Sequence, residues 1–160
     1  MIGILVVSHE PLGTALIHCT RHIFGRMLPQ LAALDVIPDE DPGRAEMAGR
    51  ELIARINDGS GVLVLTDICG ATPARVAARL ADSGRICVLA GANLPLLLRA
   101  LSRRRGAEIE SLIVELLPLA REAIGRVRAD GSLEDDMCIP IETRNLDDAD
   151  EQGGNGDAKR

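Results

Sequence analysis

The sequence predicts an α/β fold, an open and mainly parallel four-stranded sheet with helices on both faces. Three observations carry this. Short apolar runs alternate with stretches of helical period four times along the chain. The runs are apolar at successive positions, as strands covered on both faces must be. Turn-forming Gly, Pro, Asn or acidic residues stand between them.

Ile2 to Val7 is the first such run. Leu12 to Leu28 then reads as a helix, with Leu12, Ala15, Leu16, Cys19, Ile23 and Met27 on one stripe. Leu31 to Ile37 is a second strand, and "PDEDPG" places acids before the helix from Arg44 to Asn57. "DGSG" closes that helix, Gly61 to Thr66 is the third strand, and Pro73 to Ala81 is the helix after it. Arg85 to Ala90 is the fourth strand, ending in "GANLP". Pro95 starts a short helix that stops near Arg103-Arg104-Arg105-Gly106, a solvated helix end or a docking surface for an acidic partner. A last helix runs from Glu108 to about Leu117, interrupted or ended at Pro118. "AIGRVR", Ala123 to Arg128, reads either as its continuation or as a short final strand.

The chain divides into a folded domain, 1–128, and a tail, 129–160. The tail carries ten acidic and three basic residues, a net of −7, which leaves residues 1 to 128 at +1 of the total −6. Beyond Asp130 it reads as disordered, with "MCIPIE" as a small apolar island. The domain thus offers no field favouring nucleic acid or an anionic membrane. Aromatic residues make up 1% of the sequence, which argues against base-stacking and carbohydrate-stacking platforms. Lys159 is the single lysine, so neither a Schiff base nor a phosphate-loop lysine has a candidate within the domain.

Cys19, Cys69, Cys87 and Cys138 form no C-x-x-C pair and read as buried free thiols of a reducing compartment. Met1 leads straight into the first strand, and no apolar run nears the ~20 residues that span a bilayer. A cytoplasmic location is expected. No metal and no cofactor are expected either. His18 and His22 stand four apart on one helix but lack a third ligand, and no nucleotide-binding loop is present.

In open α/β sheets ligands bind beyond the carboxyl ends of the strands. The residues that fall there are Ser8-His9, Asp67 to Pro73, and Gly91 to Pro95. Helices start just after these points, so their N-termini can take an anion. His9 is a candidate nucleophile toward phosphorus, provided one ring nitrogen is free and the other is held. Asp67, on the neighbouring strand, is the right type of holding group. The bland alternatives are a strand-end histidine bonded to a loop carbonyl, and an aspartate that caps the next helix. Thr72-Pro73 already reads as an N-cap followed by proline at the first helical position, which leaves Asp67 available.

"ILVVSHEPLG", "VLVLTDICGATPARVAARL" and "VLAGANLPLLLRAL", taken together, resemble the IIA domain of the mannose/fructose/sorbose class of the bacterial phosphoenolpyruvate-dependent phosphotransferase system (PTS). The similarity runs from Met1 to about Arg128. It implies a sheet of order 2-1-3-4, with a fifth antiparallel strand swapped between the subunits of a homodimer; "AIGRVR" is the candidate for that strand. It implies that His9 accepts a phosphoryl group on Nε2 from the phosphocarrier HPr and that Asp67 orients the ring. Backbone N–H groups of Gly70, Ala71 and Thr72 would hold the phosphoryl oxygens. The onward acceptor is then a IIB protein or a regulatory target, with membrane contact only indirect, through a permease complex. Two features differ from the sugar-transporting relatives: Cys69 replaces an aromatic residue, and no IIB domain follows. The rival readings are a phosphoryl donor to a dihydroxyacetone kinase and a binding module whose histidine is never phosphorylated.

Overall fold

The structure is a computed structural model that describes residues 1–82 and 84–133. The "MCIPIE" island, Cys138 and the rest of the acidic tail lie outside the described residues. Among the described residues nine elements follow in the order β1 (Gly3–His9), α1 (Leu12–Phe24), β2 (Leu31–Val36), α2 (Pro42–Ile56), β3 (Val62–Thr66), α3 (Thr72–Leu80), β4 (Ile86–Ala90), α4 (Leu94–Arg103) and α5 (Ile109–Glu122). The strands form one parallel sheet in the order β2-β1-β3-β4, the order the resemblance implies.

Side chains alternate across this sheet with the period of two that a strand imposes. Ile4, Val6, Leu63 and Leu65 face a layer built from α1, α4 and α5. Leu5, Val7, Val62 and Val64 face α2 and α3. Both faces are dry, which is why β1 and β3 read as unbroken apolar runs. Helix starts follow local chemistry. Asp41 accepts from Arg44 N–H to cap α2, and Asn93 accepts from Leu96 N–H at 2.8 Å to cap α4.

Several expectations need correction. Helix α1 ends at Phe24 rather than Leu28, because Gly25 takes a left-handed conformation and Leu28 turns inward as a buried residue. Helix α5 does not stop at Pro118 but runs through it to Glu122. The carbonyl that loses its partner belongs to Val114, on an exposed part of the helix where water can replace it. Residues 123–128 form neither a longer helix nor a strand of the sheet within this chain. Instead Val127 makes an isolated antiparallel bridge with Leu133, and Arg128 N–H donates to the Ser132 carbonyl at 2.7 Å.

The arginine run is not uniformly solvated. Arg104 is buried, and its guanidinium donates to the carbonyls of Pro29 (2.6 Å) and Gln30 (2.9 Å). It ties the end of α4 to the chain that enters β2. Among the described residues the cysteines are free but not buried: Cys19 and Cys69 are exposed and Cys87 is half-buried. Among the described residues no helix is long and apolar enough to cross a membrane.

Candidate phosphoryl-transfer site

Strands β1 and β3 are adjacent and parallel, with Val7 paired to Thr66, so the residues just past that pair emerge together at the carboxyl edge. There the Asp67 carboxylate meets His9. Its Oδ2 lies 2.7 Å from ring Nδ1 and accepts the His9 backbone N–H at 2.9 Å. Its Oδ1 accepts the Ile68 N–H at 2.8 Å. Partial burial pulls the Asp67 pKa upward, but the hydrogen bonds from His9 and Ile68 outweigh it and hold the group below its ordinary value. Asp67 is therefore ionised at neutral pH. An ionised carboxylate can only accept, so Nδ1 carries a ring proton, and in the neutral ring it is Nε2 that has the lone pair. The His9 side chain is 53% exposed and that of Asp67 12%, which leaves the nucleophilic edge open and the holding group covered.

After Asp67 the chain makes a short loop and enters α3. Gly70 sits there at φ +88°, a conformation that a side chain would strain. Arg75 donates to the Gly70 carbonyl at 3.1 Å and braces the loop from α3. Gly91 N–H donates to the Asp67 carbonyl and Ala92 N–H to the Thr66 carbonyl, which fastens the β4–α4 turn to the same edge.

Thr72 is the first residue of α3 rather than its cap. The cap position is Ala71, which has no side-chain acceptor, so the Thr72 hydroxyl takes no part in capping. This distinguishes α3 from its neighbours. Asp35 faces the first turn of α1, Asp41 that of α2 and Asn93 that of α4. Among the described residues the N–H groups of Gly70, Ala71 and Thr72 meet no acceptor, so of the helices that follow strands α3 is the one whose N-terminus is open to an anion.

His9 and Thr72 line one cleft of about 500 Å³ with Glu10, Asp39 and Glu40 on its rim. Those carboxylates, Asp35 and Arg75 were not singled out by sequence reasoning. The signal for Asp35 was its place as the one charge in the strand "LAALDV". The Glu10–Pro11 peptide that follows His9 is cis. His18 and His22 lie apart from this site, in a cleft of about 410 Å³ with Arg21 and Gly25. Among the described residues no histidine, cysteine or carboxylate joins them as a third metal ligand.

A parallel α/β sheet with an aspartate-held histidine at its carboxyl edge, beside an uncapped helix, is an arrangement whose open N–H groups can take an anion. Residues 3–117 match the family described as the PTS system fructose IIA component, and the chain belongs to that family. It is 29% identical over 124 residues to the PTS fructose-specific EIIA component of Bacillus subtilis (strain 168), covering 77% of this chain and 84% of that protein. The crystal structure of a phosphotransferase system EIIA component from Streptococcus agalactiae is similar at a TM-score of 0.71 and 25% identity, covering 79% of this chain and 97% of that one. The mannose/sorbose-specific IIA subunit from Enterococcus faecalis shares the fold at a TM-score of 0.65 and 22% identity, covering 79% of this chain and 95% of that one.

Proposed function

We propose that the protein is a phosphohistidine carrier of the phosphotransferase system, taking a phosphoryl group from phospho-HPr onto Nε2 of His9 and passing it to a IIB protein or a regulatory target. The observation that carries this reading is the Asp67 carboxylate on His9 Nδ1, which leaves Nε2 as the free nucleophile. In the transfer the Nε2 lone pair attacks phosphorus in line. A bond from Nε2 to phosphorus forms, the bond to the donor breaks, and that electron pair leaves with the donor. No proton needs to move. The ring becomes positive, and Asp67 offsets the charge. The N–H groups of Gly70, Ala71 and Thr72 hold the phosphoryl oxygens, a role their lack of any acceptor supports.

Exposed Ile124 and Val127, just past α5, support a homodimer in which this segment packs onto a second copy, where β4 is an edge strand among the described residues. A strand swap is one form of that packing.

The test is intact mass after incubation with phosphoenolpyruvate, enzyme I and HPr. The native protein gains one phosphoryl group and His9→Ala gains none. Equal gain by both would refute the assignment, and no gain by either, with HPr itself phosphorylated, would favour a binding module.

A further inference from the structure

We propose that Asp35 is a positioning residue for phosphoryl transfer at His9, a role that rests on the reading of His9 above. Asp35 lies on β2 directly beside Ser8 of β1. Its carboxylate oxygens stand 3.2 and 3.3 Å from the backbone nitrogen of Thr14, in the first turn of α1. The cap position of that helix is Pro11, which offers no side-chain acceptor. Asp35 thus does from a neighbouring strand what a capping side chain does within its own helix. The fit is close: a Cβ on Gly13 would stand 2.7 Å from Asp35 Oδ1 and 3.0 Å from Ser8 Oγ. The Ser8 hydroxyl in that cluster is buried and has no hydrogen-bond partner.

The next residue of β2 completes the arrangement. The Val36 carbonyl accepts the Glu10 N–H at 3.2 Å. Two consecutive residues of β2 therefore hold both ends of the turn from Glu10 to Thr14, which begins immediately after His9. From β3, Asp67 holds His9 itself. The ring sits between two clamps, and releasing the β2 clamp lets the turn shift and moves Nε2 off its line of attack.

The experiment uses the full chain with Asp35→Ala, Asp35→Asn and Gly13→Ala. It measures the maximal rate and KM for transfer from phospho-HPr, together with the ¹⁵N signals of the His9 ring without phosphorylation. Asp35→Ala is expected to lower the maximal rate between about 10- and 100-fold with KM little changed. Asp35→Asn recovers most of it, because its side-chain oxygen still accepts the Thr14 N–H. Gly13→Ala reproduces the loss by pushing Asp35 aside. The ring signals move with the rate across the series. A native rate and native ring signals in Asp35→Ala would overturn the proposal. If Asp35→Ala does not fold, Gly13→Ala and Asp35→Asn decide by the same criteria. If the native protein takes no phosphoryl group, the carrier reading fails, and the ring signals alone decide: displaced in Asp35→Ala they support the clamp, unchanged they overturn it.

Discussion

A single oxygen of Asp67, Oδ2, holds His9 at two points, the backbone N–H and ring Nδ1. One contact fixes where the residue sits and the other fixes which ring nitrogen is free. Position and tautomer are therefore set by the same atom, and a change at Asp67 disturbs both.

Asp67→Asn tests this. The carboxamide can still accept a hydrogen bond, but it cannot balance a positive ring, and its NH₂ group can favour the wrong tautomer. We expect single-turnover transfer to fall by about 10²- to 10⁴-fold, the range in which such a change acts in hydrolase triads. Rapid-quench kinetics with phospho-HPr reads this directly, and an undiminished rate would remove Asp67 from the mechanism.

The depressed Asp67 pKa also has a consequence for stability. A carboxyl held below its ordinary 3.8 in the folded protein stabilises the fold above that value, and the contribution is lost as pH falls through the folded pKa. The difference in Tm between the native protein and Asp67→Asn should shrink between about pH 5 and pH 3. A difference that stays constant over this range would mean that the folded and unfolded pKa values of Asp67 are the same.

Arg104 belongs to the fold rather than the site. Burial, with Arg105 adding like-charge repulsion, lowers its pKa to about 10, which still leaves it charged at neutral pH. Arg104→Ala would leave the Pro29 carbonyl without its donor and the Gln30 carbonyl with only the Ile4 N–H, at a cost of about 2 kcal/mol. Urea unfolding should show this as a lower midpoint with an unchanged slope. Arg104→Lys should recover only part of it, since one ammonium cannot reproduce the planar fork.

Gly70→Ala tests the phosphoryl-binding loop. A Cβ there meets nothing within 4 Å, so the cost is conformational, about 1–2 kcal/mol for a side chain in the left-handed region. If the loop relaxes to avoid that strain, its N–H groups turn away. Transfer should then slow by about tenfold while the protein remains folded. Unchanged transfer would argue that the phosphoryl group does not depend on this loop.

These cases show what a sequence can and cannot carry. His9 and Asp67 were legible because each stands where an apolar run stops, and a parallel sheet brings such points together at one edge. Pro118 misled because proline reads as a stop, whereas an exposed helix turn can lose one hydrogen bond to water. Arg103, Arg104 and Arg105 are alike in sequence; only the docking of α4 over Ile2 and Pro29 picks out the middle one. Asp35 was hidden for a related reason, because its partner, Thr14, is 21 residues away and on another element. Contacts of that range follow from assembly, so the strand shows a lone charge but not its partner.

With Asp67 on Nδ1, the atom proposed to take phosphorus is Nε2 of His9. The measurement that tests it most directly is a ³¹P–¹⁵N correlation spectrum of the phosphorylated, ¹⁵N-labelled protein. One acid-labile phosphoryl group is expected, coupled to Nε2 of His9, with Nδ1 still protonated. Phosphorus on Nδ1, or on any residue other than His9, would contradict it.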